Sequence, residues 1–486
     1  MGTCSIDQLI TLAVTRIRSV EARLQQIELI NFPSKNPRIL ISLFSRILQA
    51  LSEQLTTYHD DFANETDNSI RERIRSEVQN ITFLIIQAIA AHLRYVEGAS
   101  FERTPWNFVE PIEKLAQEIL KEARFVVRPR WLYNFSILEI VQPYKKVLTS
   151  LLPPATMTHI FDDLPEKLYI VSFPGLERSN VLLHVNFGHE IGHQIQDVFF
   201  SSEDSSYLVQ IREEVEEELK NQYPDEVERS AEAAQRTDTI AKVRKRALEE
   251  LMADLFSLKL FGPAAIFALH EIPMLTGSFD DIPVPDSFYP PWRMRLREVF
   301  KEANWAEIEA TITTMCSTDL PGVSRELADN IVQQLTERMN LLESLTSEVP
   351  DQHNIDRHLT LRIAYKSVAD ALPKVRLFLT EQFGAHSCPV DESFWADVFH
   401  LVGRLDRNIP PNEIIGPDGT MRIADIRRIL NSGWLYKVTK LSSMYTNGIV
   451  ETQFCDDLHI LNNLVLKAVE MSDLQKEYTN YKLRKA

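Results

Sequence analysis

Apolar residues recur at helical spacing through about the first hundred residues of the chain, and polar residues separate them. The first stripe begins near Ile10, and the second follows Asn36-Pro37, a pair that predicts an N-cap and a first-turn proline. A third helix is expected over about residues 69–96, with its end near Gly98. Stripes of this kind are typical of core positions, so this segment predicts a helical bundle.

The next segment carries strand patterns as well as helical ones. Short runs rich in β-branched and aromatic residues predict strands near residues 125–127 and 131–137. The clearest strand pattern is Lys167–Phe173, which a Pro-Gly pair closes. Asn180 then predicts the N-cap of a helix over residues 181–196.

Residues 202–248 are polar and highly charged but keep a helical pattern, which predicts either a solvated helical hairpin or a lid over a cleft. The helix that carries Glu250 follows, and it is expected to stop at Gly262-Pro263. The rest of the chain is mostly helical in pattern, with turns near residues 410–419.

Composition adds to this picture mainly by excluding classes of protein. The chain has 486 residues, enough for more than one domain, and a formal net charge of -17. The densest basic cluster, residues 242–246, is interpreted as a solvated helix face, so a nucleic-acid partner is not expected. No secretory signal and no membrane-spanning stretch is recognised, and four widely spaced cysteines favour a reducing compartment. A soluble, cytoplasmic protein is expected, and its oligomeric state is left open.

The sequence HEIGH at residues 189–193 has a spacing suited to metal chemistry. Residues four apart lie one turn apart on the same helix face, so His189 and His193 can bind one ion. Glu190 lies beside that face, where its carboxylate can remove a proton from a zinc-bound water and later pass it to the leaving amine. The pattern is short, and two surface histidines beside a salt-bridged glutamate would also produce it. A third ligand is therefore needed.

The sequence EELMADLFS, which begins at Glu249, supplies the third ligand and a partner for a histidine. Glu250 and Asp254 lie one turn apart on an otherwise apolar segment, where buried carboxylates require a metal or a donor. We expect Glu250 to bind Zn²⁺ together with His189 and His193. Asp254 is expected to accept the other ring N–H of His189. Glu249 is the competing ligand, but it points about 100° away from Glu250.

The surroundings of HEIGH exclude one peptidase class and resemble another. A metzincin would need glycine at position 196 and histidine at 199, where this chain has Gln196 and Phe199. HExxH followed at long range by Glu-x-x-Ala-Asp resembles the gluzincin peptidases, most closely the CAAX prenyl endopeptidase and HtpX-type family. The resemblance covers about residues 165–300.

That family continues with a His-Pro segment and an arginine six residues after the histidine. This chain has YPPWRMRL, with Tyr289 in place of the histidine and Arg295 in place of the arginine. The resemblance implies that Tyr289 stabilises the tetrahedral oxyanion and that Arg295 orients Glu250 or holds substrate. The alternative for Tyr289 is an aromatic side chain packed beside a Pro-Pro turn.

The expected fold is α+β and mostly α. The resemblance implies a gluzincin-like core with a small sheet and two motif helices, and the helical patterns on either side predict flanking helical domains. An edge strand would pair with an extended peptide, and Lys167–Phe173 is the candidate. The expected domains are an N-terminal helical domain, a zinc metallopeptidase domain and a C-terminal helical domain, over residues 1–123, 124–310 and 311–486.

These residues predict a zinc-dependent endopeptidase that hydrolyses peptide bonds of a selected protein or peptide substrate. One alternative is a catalytically silent, peptidase-like module that binds a partner or peptide, although the intact Glu190 argues against a decayed site. Another is a purely structural zinc site, which four protein ligands would usually close. His184 faces about 140° away from His189 on a helix and is expected to be an ordinary core or surface histidine.

Overall fold

Helices dominate the computed structural model of this chain, and strands form only two small sheets among the described residues. The described residues are 5–276, 289–316, 323–347, 358–416, 419–441 and 451–485. This make-up confirms the predicted α+β, mostly α class. The chain divides into two compact units, Met1–Arg178 and Ser179–Ala486. Their boundaries differ from those of the three predicted domains, and the three-domain division stays a prediction.

Helices and a three-stranded sheet build the first unit. The helices are α1 (Ile6–Glu28), α2 (Asn36–Asn64), α3 (Asn68–Asn80), α4 (Ile86–Gly98), α5 (Trp106–Ile119), α6 (Val141–Leu148) and α7 (Pro154–Phe161). The strands are β1 (Ala123–Arg130), β2 (Ser136–Glu139) and β3 (Lys167–Pro174). A π-helical turn, Ile81–Ile85, joins α3 to α4, and the three together form the predicted third helix. The apolar stripes face inward, where Ile17, Phe44 and Ile89 are buried in one core.

The three-stranded sheet has the order β1-β3-β2, with β3 at its centre. β3 pairs in parallel with β1 along its whole length and antiparallel with β2 through Tyr169–Ser172. The expectation that Lys167–Phe173 is an edge strand is therefore wrong, because paired strands lie on both sides of it. The strand predicted at 131–137 is displaced to Ser136–Glu139.

Asn36 begins α2 but does not cap it. The N-cap is Lys35, which makes no capping bond through its side chain. The Asn36 amide nitrogen instead donates to a carboxyl oxygen of Glu113 at 3.1 Å and to the carbonyl oxygen of Phe125 at 2.8 Å. The Ser34 hydroxyl donates to the other Glu113 oxygen at 3.2 Å. Asn36, which the sequence predicts as a cap, instead connects α2 to α5 and β1 through buried hydrogen bonds.

The second unit contains the remaining described elements. Its helices are α8 (Phe187–Gly192), α9 (Gln196–Ser202), α10 (Ser206–Leu219), α11 (Glu226–Phe261), α12 (Ala264–Thr276), α13 (Trp292–Ala303), α14 (Trp305–Cys316), α15 (Arg325–Ser347), α16 (Leu359–Phe383), α17 (Glu392–Leu405), α18 (Ile426–Tyr436) and α19 (Glu451–Lys485). Strands β4 (Glu413–Ile415) and β5 (Met421–Ile423) pair antiparallel where the sequence predicts only turns. Within the described ranges, no helix is long and apolar enough to cross a membrane.

The charged segment before Glu250 forms a helical hairpin, in which α10 packs on α11. Asp225 caps α11 by accepting the backbone N–H groups of Val227 and Glu228, both at 2.9 Å. The helix then stops at Gly262, as predicted, where φ is +65°, a conformation that glycine adopts without steric cost. Every residue of α11 from Glu250 to Leu258 is buried. The long helix therefore brings two carboxylates into an apolar interior.

The buried carboxyl of Glu113 predicts a pH dependence of stability. Burial raises its pKa to about 8, more than the hydrogen bonds from Ser34 and Asn36 lower it. Between the ordinary pKa of 4.5 and about 8, the folded chain therefore holds a proton that the unfolded chain has lost. The stability that this group contributes is fully present below pH 4.5 and is lost as the pH rises towards 8. The loss is at most about 5 kcal/mol.

We expect Glu113→Gln to reduce the fall in the unfolding midpoint between pH 5 and pH 8, because an amide does not titrate. Glu118→Gln, on the exposed face of the same helix, should keep the pH dependence of the wild type. Thermal unfolding of all three proteins at both pH values measures the difference. An identical pH dependence in Glu113→Gln and the wild type would contradict the assignment.

Candidate metal site

His189 and His193 lie at the two ends of one helical turn. The residues before α8, Val181–Asn186, form a 3-10 helix, and the Asn180 side chain does not cap it. The predicted continuous helix over residues 181–196 is therefore wrong, although the turn that carries both histidines is present. The backbone N–H of His193 donates to the carbonyl oxygen of His189 at 3.2 Å. This bond keeps the two imidazoles on one face.

Two glycines allow α8 to lie directly against α11. A Cβ atom on Gly192 would lie 2.7 Å from the Cα atom of Ala253. A Cβ atom on Gly188 would lie 2.8 Å from the hydroxyl oxygen of Ser257. A larger side chain at position 192 would force the helices apart, and one at position 188 would displace the side chains of Ser257 and Phe261. Because α11 carries both site carboxylates on the face that α8 covers, this close packing brings the carboxylates to the histidines.

Three side chains converge where α8 meets α11. The Nε2 atoms of His189 and His193 lie 3.0 Å apart. Carboxylate oxygens of Glu250 lie 3.5 Å from the Nε2 atom of His189 and 3.7 Å from that of His193. One nitrogen or oxygen from each of the three lies within 4.8 Å of the others, so this buried group could hold a metal ion. The structure thus brings the three predicted ligands together, with Glu250 and not Glu249 as the carboxylate.

Asp254 contacts the ligand His189, and Arg295 contacts the ligand Glu250. The Nδ1 atom of His189 lies 2.7 Å from a carboxylate oxygen of Asp254, the partner that the sequence predicts. Arg295, on α13, donates its Nε and one Nη to the two oxygens of Asp254, both at 2.7 Å. Its other Nη lies 3.3 Å from Glu250. The guanidinium is buried between two carboxylates, a position from which it can orient Glu250; its role in the site stays a prediction.

Tyr289 contacts Arg246, which in turn contacts the ligand Glu250. The sequence pattern predicts a solvated helix face for Arg246. Arg246 precedes Glu250 by one turn of α11, and its Nη2 lies 3.0 Å from a Glu250 oxygen. The same Nη2 donates to the Tyr289 hydroxyl at 2.6 Å, and the guanidinium lies 4.5 Å from the centre of the tyrosine ring. Tyr289 is 54% exposed, so its phenol lies at the solvent edge of the group. The interpretation of 242–246 as a solvated face holds for Lys242 and Lys245, which are exposed, but is wrong for Arg244, which is buried.

Burial lowers the pKa of both histidines, but nearby carboxylates outweigh this effect only at His189. For His189, the charges of Asp254 and Glu250 outweigh burial and raise the pKa to about 10. For His193, burial and the neighbouring His189 lower the pKa to about 4. At neutral pH without metal, His189 therefore carries a proton on both ring nitrogens, and its Nε2 faces both Glu250 and the Nε2 atom of His193. Burial raises the pKa of Glu250, but Arg295 and His189 outweigh it and hold that pKa below its ordinary value.

Glu190 and His184 are both buried, but only Glu190 lies on α8. Glu190 lies on α8 beside His189 and is buried, 7% exposed. Its charge is close enough to raise the pKa of Arg295, against burial and together with Asp254. His184 is fully buried, with its ring centroid 5.4 Å from that of Phe187, which confirms its interpretation as a core histidine.

Gln196 contacts the group, although the sequence pattern assigns it no role beyond excluding a metzincin. It begins α9, and its side-chain amide atoms lie 3.3 and 3.5 Å from the Nδ1 atom of His193. The available signal was its position three residues after His193, which allows the two side chains to meet on a helical turn.

The chemistry of the donor set fits a divalent metal ion. Both histidines have a partner at Nδ1 and present Nε2 to the same point, and Glu250 offers the oxygen of an ionised carboxylate. Imidazole and carboxylate suit several divalent transition metals. No protein-family model, no curated protein and no solved structure matches this chain. The class of the site therefore rests on its own geometry.

We expect Gly192→Ala to separate α8 from α11, because its Cβ would lie 2.7 Å from the Cα of Ala253. The overpacking should cost about 1–3 kcal/mol in the free energy of unfolding and weaken metal binding. Chemical denaturation and metal titration measure the two effects. Gly384→Ala is the matched control, since a Cβ there meets no atom within 4 Å. Equal stability and metal affinity in both variants would contradict the packing argument.

Metal binding should release about one proton per ion near pH 7, because the metal must displace the Nε2 proton of His189. Calorimetric titration in buffers of different ionisation enthalpy measures this number. Asp254→Asn removes the charge that raises the pKa of His189 and should release fewer protons. Equal proton release by the variant and the wild type would show that His189 is not protonated in the metal-free protein.

Proposed function

We propose that this chain is a zinc-dependent endopeptidase that hydrolyses peptide bonds of a selected protein or peptide substrate. The observation that carries the proposal is the convergence of His189, His193 and Glu250 on one point between α8 and α11. Three protein ligands leave a position open for water or substrate, as in catalytic rather than structural zinc sites. We further propose that α8, α11 and their loops form a gluzincin-like core, in a protein that works in the cytoplasm.

Zinc bound there would act as a Lewis acid on the substrate carbonyl and would lower the pKa of a water molecule. Glu190 follows the first ligand directly on α8 and is buried, close enough to Arg295 for their charges to interact. In the proposal, a carboxylate oxygen of Glu190 takes the proton of the attacking water. The same oxygen then delivers that proton to the leaving amine nitrogen, so that the peptide bond and one water become an acid and an amine.

Asp254 and Arg295 keep the ligands in place during this reaction. Asp254 holds the Nδ1 proton of His189, which leaves the Nε2 lone pair for the metal. Arg295 compensates the charges of both Asp254 and Glu250, so that neither carboxylate is an uncompensated buried charge. Neither Asp254 nor Arg295 needs to touch the substrate.

Tyr289 is the candidate group for stabilising the oxyanion that develops on the substrate. Its hydroxyl oxygen accepts a hydrogen bond from Arg246, so its own proton is available to donate. The positive charge of Arg246 beside the phenol makes that proton a better donor. A half-exposed side chain at the edge of the metal group can meet a bound peptide without a large rearrangement.

Glu190→Gln separates the peptidase from the silent binding module. We expect the variant to keep its zinc, because Glu190 is not a ligand, and to lose about 10²–10⁴-fold in turnover. Zinc content is measured by mass spectrometry of the purified proteins. New protein N-termini are mapped across the proteome after induction of each protein, and only the wild type should generate them.

Identical N-terminal maps for the wild type and Glu190→Gln would contradict the peptidase proposal. If both proteins still bound zinc and captured the same partner, the silent regulatory module would be the better account. Glu213→Gln is a suitable control, because Glu213 is exposed on α10, and this variant should keep wild-type cleavage.

A further inference from the structure

Gln196 is a buried side chain, 5% exposed, at the first residue of α9. A buried amide is costly unless its donor and acceptor both have partners. The amide nitrogen donates to the backbone carbonyl oxygen of Glu249, on the turn of α11 that also carries Glu250. That carbonyl can only accept, so this contact decides which end of the amide is the nitrogen.

Both amide atoms lie beside a ligand histidine: the nitrogen is 3.3 Å and Oε1 is 3.5 Å from the Nδ1 atom of His193. Because the nitrogen already donates to Glu249, Oε1 is the atom that can accept a proton from Nδ1. A carbonyl-type oxygen there favours the tautomer of His193 with its proton on Nδ1 and its lone pair on Nε2. That lone pair faces His189, whose Nε2 is 3.0 Å away, and the oxygen of Glu250 at 3.7 Å.

We infer that Gln196 is the positioning residue of His193: it sets the tautomer and ring orientation that a metal ligand needs and ties them to the backbone of α11. His189 has a carboxylate in the corresponding place, which Arg295 neutralises. His193 has a neutral amide instead, so the site gains orientation at its second histidine without adding another buried charge. The inference rests on the metal centre of the proposed function but not on proteolysis.

Metal binding tests this role directly. Gln196→Leu has a similar volume but no hydrogen-bonding group, and it should weaken the binding of zinc and of cobalt(II) by about 10–100-fold. The visible absorption spectrum of bound cobalt(II) should change, because the His193 ring is no longer held. Gln196→Glu keeps an acceptor for the Nδ1 proton but loses the donor to the Glu249 carbonyl, so it should bind both metals more tightly than Gln196→Leu and recover part of the wild-type affinity. Affinities are measured by competition with a chromophoric chelator.

Gln194→Leu is the matched control, because Gln194 lies two residues earlier and is partly exposed, and this variant should bind metal like the wild type. The metal-free thermal midpoint of Gln196→Leu should stay close to that of Gln194→Leu. The inference is overturned if Gln196→Leu keeps wild-type affinity and spectrum. It is also overturned if Gln196→Glu binds no better than Gln196→Leu, or if the wild type binds neither metal. Because no readout is turnover, failure of the peptidase proposal leaves this test intact.

Discussion

The direct contact between α8 and α11 is the constraint on which the site depends. Gly188 and Gly192 lie one turn apart, and both stand where a Cβ atom would collide with α11. The helix axes can therefore approach closely enough for histidines on a turn of α8 to meet a glutamate on α11. The HEIGH sequence therefore contributes in two ways. Its histidines supply the candidate metal ligands, and Gly192 allows the close packing on α11.

Close packing of this kind places charge in an apolar interior, and the surrounding side chains must compensate it. Asp254 and Glu250 lie on a run of α11 that is otherwise apolar, so each needs a cation or a donor. Arg295, on α13, contacts both carboxylates, and Arg246, one turn earlier on α11, contacts Glu250. In the metal-free protein, a proton on His189 supplies further positive charge. A metal ion would replace that proton on Nε2, so metal binding and protonation of His189 exclude each other.

The candidate ligands were predictable because their signals are local. His189 and His193 have the spacing of a helical turn, and so do Glu250 and Asp254 on an apolar segment that excludes a solvated face. The choice of Glu250 over Glu249 followed from the same geometry, and the structure brings Glu250 to the histidines. The mostly helical class was predictable for a similar reason, because the apolar stripe of each helix lies within that helix's own sequence.

Features that depend on distant partners were not predictable. The central place of β3 arises from its pairing with two other strands, and nothing within Lys167–Phe173 encodes that order. Asn36 has the sequence context of a cap, but its amide is engaged by Glu113, far along the chain. Arg246 looked like part of a solvated face because its neighbours are charged, and only the approach of Tyr289 shows its place in the site. In each case the missing information is tertiary.

The most direct measurement of the central claim is a crystal structure of the zinc-loaded protein, with data collected on both sides of the zinc absorption edge. We expect one anomalous peak at about 2.0–2.2 Å from the Nε2 atoms of His189 and His193 and from an oxygen of Glu250, with a non-protein fourth ligand. A peak elsewhere, no peak, or a fourth protein side chain that closes the coordination sphere would contradict the account.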